Sequence, residues 1–431
     1  MLVEFKFKNY RSFRDEAVLS MEAAGLGAHK NCLIKYNSKT NLLPGVAIYG
    51  KNGGGKSNVI RAFWVSTQFI KSAQRSQHAD ALVPVTPFRL NDYSQNEPTE
   101  FEFMYSMDGV RYWYSFAATS DKIHKEYLYH APNGQKALVF YREGQSFNFT
   151  EEKQRRKLIS EAVAENQLFF AVACTMNDDA CVKAMRWFRE CVYFSRDYSD
   201  IPQRILEYSN NDNMLNAICS YARAADFGIE DMQFEINSKE VEDLKLPKNL
   251  PEQVKEALAN FMRAISAGSD NQEMKLALNE VKAMSFHQGQ GNDGEGKLYP
   301  LGLADESEGT RKLMAYAPAI ETVLSKGGVL LIDEIEKGLH PLLVNFIVAK
   351  FQSKKTNPKG AQIIFTTHDA ELMSMDLIRK DQIYFTDKRQ EDGVSELYSV
   401  SDFGTKTSEN IRKGYMLGKY GAIPNIRIEE V

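Results

Sequence analysis

Residues 46–58 read VAIYGKNGGGKSN, a short apolar run that empties into a glycine-rich loop ending in Lys56 and Ser57. Gly50, Gly55, Lys56 and Ser57 satisfy the spacing G-x-x-x-x-G-K-[ST] in the context that gives it meaning, after a strand and before a helix. Glycines let backbone N–H groups close around phosphates, the helix N-terminus adds partial positive charge, and the lysine reaches the β and γ oxygens. The loop implies ATP as ligand, with Mg²⁺ held in part by the Ser57 hydroxyl. Gly50, Asn52, Gly53, Gly55, Lys56, Ser57 and Asn58 are the expected nucleotide contacts.

Far downstream, residues 327–341 read GGVLLIDEIEKGLHP, where an apolar run delivers Asp333 and Glu334 to the end of a strand. Asp333 is placed to hold magnesium through water, and Glu334 to orient or activate an attacking water. The next strand ends in TTHD, which sets His368 beside the same sheet edge, where a neutral imidazole can contact a γ-phosphate.

The rest of the chain arranges itself around these segments. Val3, Phe5 and Phe7 alternate with Glu4, Lys6 and Lys8, the period of a half-buried strand. Alternation returns over residues 100–150, with Phe101, Phe103 and Tyr105, then Tyr112, Tyr114 and Phe116 after Met107-Asp108-Gly109, then residues 138–149 around Glu143-Gly144. This predicts an antiparallel meander. Residues 151–285 are rich in charge, alanine and leucine at helical spacing, and predict a helical insertion; residues 289–296, GQGNDGEG, predict a flexible loop. Short apolar runs at 327–333, 362–367 and 382–386, with helices between them, predict parallel pairing. The fold class expected is therefore α/β, a P-loop head of mixed sheet plus meander, in three parts: 1–150, a helical lobe at 151–285, and 286–431.

Composition sets the outer bounds. Hydrophobic residues make up 43% of the 431 and charged residues 26%, ample for a globular core. A formal net charge of -4 gives no global basic field, although a local patch still admits a nucleic acid. The five cysteines form no C-x-x-C pair and read as buried thiols in a reducing cytosol; no apolar span of about 18 residues predicts a membrane crossing. The basic run KQRRK at 153–157 reads either as a solvated helix face or as a phosphate contact.

The loop, the acidic strand end and the histidine, in this order, resemble the ABC-type ATPase head shared by SMC proteins, RecF and the OLD nucleases. That family has a signature segment, which in a dimer caps the nucleotide held by the opposite subunit. The matching segment here is ADESEGTRKLMAYAPAI, with Ser307 and Gly309 at the signature serine and second glycine. Glu308 departs from the small residue usual at its position, so a plain helix cap remains the alternative. Leu313, Tyr316, Ile320 and Val323 share one face of the helix that follows. FKNYRSF also looks like the first strand and turn of these heads, leaving Arg11 either an ATP contact or a surface arginine. The resemblance implies a further metal-side glutamine between the loop helix and Phe101, for which Gln95 is the candidate.

More narrowly, GYMLGKYGAIPNI at 414–426 and the segments VEFKFKNYRSFRDEAVLSM and PFRLNDYSQNEPTEFEF resemble the RloA-like, AbiLi-like and OLD-like ATPases of bacterial phage-defence loci. About 45 residues follow Thr386, too few for an appended nuclease domain of usual size. The resemblance implies a cytoplasmic ATPase that forms a homodimer or higher oligomer and controls a separate, nuclease-like effector protein. The alternative is a RecF- or SMC-like ATPase that binds DNA itself. A transporter subunit is disfavoured by the meander, and a nuclease in its own right by the lack of a spare acidic cluster.

Overall fold

The computed structural model describes residues 1–27, 29–76, 81–195, 201–226, 228–240, 277–292, 294–373, 377–404 and 409–423. The chain divides into two compact units, residues 1–195 with 319–431, and residues 196–318.

The first unit holds two sheets. Its parallel sheet has the order Val192–Phe194, Val329–Ile332, Gln362–Thr366, Gly45–Gly50, Ile383–Lys388, Ser395–Ser399, the last strand alone running antiparallel. Every residue of Gly45–Gly50 and Val329–Ile332 is buried, as parallel strands covered on both faces require. The 21-residue helix Lys56–Ser76 follows the glycine loop.

The other sheet is an antiparallel meander in the order Ser146–Phe149, Ala137–Glu143, Ile123–Ala131, Val110–Ala118, Thr99–Met107, Leu2–Lys8, Ala17–Ser20. Asp108 and Gly109 make one of its two-residue turns, with φ of 50° and 78°, the left-handed pair that lets such a loop match the strand twist. Rings from its inner face pack on the helices beneath. Phe5 lies 4.7 Å from Phe63, Tyr105 lies 4.5 Å from Trp187, and Tyr114 lies 4.4 Å from Phe170. The strand Ile123–Ala131, IHKEYLYHA, places the buried Glu126 on its inner face, so apolar alternation alone does not mark it.

Residues 151–195 differ from the expected insertion. The helices Lys153–Glu161, Phe169–Thr175 and Asp179–Cys191 belong to the first unit, and Val192–Phe194 extends the parallel sheet. Cys181, Ala184, Met185, Trp187, Phe188 and Cys191 form the buried stripe of Asp179–Cys191, and that stripe covers the meander. Arg156, from the basic run, is buried in a two-point pair with Asp178 at 2.8 and 3.3 Å and also donates to Val139 O. It is structural, neither solvated nor free for a phosphate. Of the five cysteines expected to be buried, Cys174, Cys181 and Cys191 are, while Cys32 and Cys219 are half-buried.

The second unit is not wholly helical. After the helices Ile201–Glu207 and Asp212–Ala225, Ile229–Glu240 and Ala277–Gln290 pair antiparallel over long stretches, and Gly296–Gly302 pairs with the latter. Residues 289 and 290 thus lie in a strand, where a loop was expected. Met232, Phe234 and Ile236 alternate with Gln233 and Glu235, a strand period set inside a segment whose overall charge and alanine and leucine content point to helix. Residues 241–276 of the expected lobe, and 424–426 of the C-terminal motif, lie outside the described residues.

A buried ion pair joins the meander to the helices. Glu126 accepts Tyr114 OH at 3.0 Å and the N–H groups of Phe169 and Phe170 at 2.8 and 2.9 Å. Arg142 stands 3.6 Å away and donates to the carbonyls of Gly144 and Gln167, both side chains being fully buried. Glu126→Leu should cost about 3–5 kcal/mol in urea unfolding, because it strands a buried guanidinium. Glu126→Leu with Arg142→Met should cost less than the sum of the single changes.

Candidate nucleotide site

The parallel strands bring the site together by register. Gly50 ends its strand, Thr366 pairs with Ile48 in the neighbouring strand, and Ile332 pairs with Phe365 beyond that. The glycine loop, the Asp333-Glu334 pair and the TTHD segment therefore leave the same carboxyl-end edge, where ligands bind in such sheets.

Two loop glycines are required by space. Gly50 has φ of 153°, and a Cβ there would come within 2.3 Å of Thr386 O; Gly55 has φ of 119°, and a Cβ would meet Phe13 at 3.0 Å and Ser395 Oγ at 2.9 Å. The loop thus lies directly against the neighbouring strands at Thr386 and Ser395 and the N-terminal turn at Phe13. Asn58 donates to Ser12 Oγ at 2.8 Å, tying the helix start to the N-terminal turn. Lys56 Nζ donates to Gly50 O at 2.9 Å and Lys51 O at 3.3 Å, folded across the loop. Burial pulls its pKa below the usual lysine range, while Glu334, Glu336 and Asp333 hold it up.

Ser57 Oγ donates to Asp333 Oδ1 at 3.1 Å, which joins the first motif to the second. Thr366 Oγ1 donates to the same oxygen at 2.6 Å and accepts the Glu334 N–H at 2.7 Å. Glu334 adopts φ of 51°, a left-handed conformation that costs a non-glycine residue about 1–3 kcal/mol and persists only where surroundings impose it. Glu336 Oε1 accepts the His368 N–H at 2.6 Å and so ties the histidine turn to the acidic segment. The imidazole pKa is lowered, first by partial burial and then by Lys56, against the pull of Glu336, Glu334 and Asp333.

Thr366 and Glu336 were missed in the sequence. Thr366 lies inside the quoted TTHD, and Glu336 inside IEKGLHP, but neither spacing says which groups meet across strands. Gln95 is not drawn into this cluster; it lies exposed on the turn before Thr99 and donates to Arg89 O at 3.2 Å. Arg11 is exposed too, at φ of 52°, its Nε 3.3 Å from Tyr10 OH. In the second unit Ser307 Oγ accepts Thr310 N–H at 3.0 Å, capping the helix Glu308–Lys326 in which Gly309 is the second residue. Just before it, buried Glu306 is held by His287 at 2.8 Å and by Ser285.

A lysine on an amide-lined loop, facing a serine hydroxyl and a carboxylate, fits a magnesium-bound nucleotide, since Mg²⁺ takes few protein oxygens and shares phosphate ones. The buried oxygens Glu336 Oε2, Asp369 Oδ2 and Ser395 Oγ have no hydrogen-bond partner among the described residues, which also suits a polar ligand with its water. Fold and site together define a P-loop nucleotide-binding head. The chain belongs to the family described as "AAA domain, putative AbiEii toxin, Type IV TA system", whose model matches residues 46–374.

Solved structures similar to this chain include the SMC head domain from Thermotoga maritima, at 13% identity and a TM-score of 0.37, covering 92% of this chain and 98% of that one. The recombination mediator protein RecF-ATPrS of the RecFOR pathway is similar at 13% and 0.35, covering 93% and 98%. cbiO1 from Clostridium perfringens, part of the ABC transporter complex cbiONQ, follows at 12% and 0.30, covering 96% of each. At such scores the likeness is remote. No curated protein matches the chain at a significant level. Among the described residues no helix is long and apolar enough to cross a membrane.

Thr366→Val keeps the shape but removes one donor from Asp333 and the acceptor from the part-buried Glu334 N–H. It should lower unfolding stability by about 1–3 kcal/mol, whereas Thr366→Ser should stay near wild type; denaturant titration of both variants checks this.

Proposed function

We propose that the chain binds and hydrolyses ATP as an ABC-type head, and that ATP-dependent dimerisation of this head controls a separate effector in antiphage defence. The observation that carries the reading is the junction of Ser57, Asp333 and Thr366, which puts the phosphate loop and the acidic strand end on one hydrogen-bonded oxygen.

Bound ATP and Mg²⁺ supply the scissile phosphoanhydride and the cation that neutralises it. Lys56 would leave the carbonyls of Gly50 and Lys51 for phosphate oxygens, Ser57 and Asp333 would hold Mg²⁺, and Glu334 would orient the attacking water. His368, kept neutral by its lowered pKa, contacts the γ-phosphate while Glu336 fixes its backbone. Ser307 and Gly309 of a second copy cap the nucleotide; the hydroxyl that now caps its own helix exchanges the Thr310 N–H for phosphate. The C-terminal motif supports the defence setting by its resemblance, and its Tyr415 stacks 5.1 Å from Phe385 and lies 6.2 Å from Tyr49, next to the loop.

Glu334→Gln should retain ATP, lose hydrolysis by about 100-fold or more, and accumulate a dimer in light scattering. Lys56→Ala should lose nucleotide binding and remain monomeric. A Glu334→Gln protein that hydrolyses at the wild-type rate would remove this residue from the base role.

The pH dependence has a definite sign. A histidine whose pKa lies below 6.5 becomes charged only as pH falls past that lowered value. Hydrolysis should therefore show no His368-dependent loss above pH 6.5, and any acid limb that belongs to His368 should vanish in His368→Gln.

A further inference from the structure

The outward face of the meander carries an array that the nucleotide site does not use. By register Trp113 stands opposite Tyr129, and Tyr127 opposite Tyr141, so four half-buried rings span three adjacent strands. Cations lie on them. Lys136 Nζ is 4.7 Å from the Trp113 ring and 4.5 Å from Tyr129, and Lys125 Nζ is 5.8 Å from Tyr127 and 5.7 Å from Tyr141. Arg111 Cζ is 5.4 Å from Trp113 and 5.6 Å from Tyr36.

Nearby carboxylates are engaged by groups other than these three cations. Glu102 accepts Tyr127 OH at 2.5 Å, Glu100 pairs with Lys8, and Glu4 with Lys6. Glu143 stands across from Lys125 in register, but its closest polar contact is Tyr141 OH at 3.4 Å. None of Arg111, Lys125 and Lys136 has an ion-pair partner among the described residues. Lys125 and Lys136 are held by ring faces, an attraction that a phosphate can replace, while Arg111 at the rim also hydrogen-bonds the Tyr36 side chain.

We propose that this face is a stacking platform for single-stranded nucleic acid, in which Trp113, Tyr127, Tyr129 and Tyr141 take bases and Arg111, Lys125 and Lys136 take phosphates. Aromatic rings interleaved with basic residues on a sheet are the elements that hold unpaired strands without sequence preference. Tyr127 and Tyr129 are 5.5 Å apart between centroids with their planes at 69°, so they do not continue the parallel, roughly 3.4 Å stack of a duplex, and bases must be unpaired and splayed to lie on both. An acidic peptide would use the cations and leave the rings without a partner. The proposal is independent of hydrolysis at the nucleotide site.

The test uses the full chain and a labelled single-stranded oligonucleotide of about 15 nucleotides, with anisotropy read against salt. Wild type should bind it more tightly than the same sequence in duplex. Trp113→Ala with Tyr129→Ala should weaken binding about tenfold or more, with nucleotide binding retained. Since ring truncation can loosen the sheet, Lys125→Gln with Lys136→Gln serves as the second variant and should reduce the salt slope by about 1.4, two phosphates' worth. No single-strand binding, tighter duplex binding, or wild-type affinity in the lysine variant would each overturn the proposal. So would capture of polyglutamate in place of the oligonucleotide, which would assign the face to an acidic protein.

Discussion

One hydroxyl, that of Thr366, holds the two acids of the site in their places, donating to Asp333 and accepting from the amide of Glu334. It can do so only because Gln362–Thr366 lies between the strand of the glycine loop and the strand of the acids, in fixed parallel register. A slip of one residue would turn every side chain to the opposite face and take Thr366 out of reach. All of Gly45–Gly50, Val329–Ile332 and Gln362–Thr366 are buried, which holds the strands together, and the polar ends of Gln362 and Thr366 find partners only in this register.

That central sheet is supported from one side by an aromatic layer. The meander supplies Phe5, Phe103, Tyr105 and Tyr114, and the helices Lys56–Ser76, Phe169–Thr175 and Asp179–Cys191 supply Phe63, Phe170, Trp187 and Phe188. The helix that begins at the phosphate loop is thus packed along its length, and its N-terminus is aimed by that packing. The buried Glu126 carboxylate adds a polar fixed point, since it satisfies helix amides that would otherwise be orphaned. The same sheet leaves its other face to solvent, with half-buried rings and cations, and so serves as support on one side and as a surface on the other.

Legibility in the sequence followed the range of the interaction. The glycine loop, Asp333-Glu334 and His368 were readable because each motif is local: backbone shape and residue type suffice over a few positions. Thr366 and Glu336 were not, although both lie inside the quoted motifs, because their partners are 33 and 32 positions away. The meander was legible through alternation except at IHKEYLYHA, where the buried Glu126 breaks the apolar pattern. Arg156 misled in the opposite direction, since a basic run whose other members are exposed gives no sign that its second arginine is enclosed by Asp178.

The sequence by itself determined that a strand, a glycine loop and a helix form a phosphate cradle, that two acids end a later strand, and that the class is α/β with an antiparallel part. These follow from short-range sterics and from apolar periodicity, which are properties of neighbouring residues. Tertiary structure alone decided that residues 153–191 belong to the head, that the second unit contains a three-stranded sheet, and that Thr366 and Glu336 join the strand ends. Those outcomes depend on which buried faces meet and on hydrogen bonds between distant strands, and amphipathic periodicity states that a face is apolar without stating what covers it.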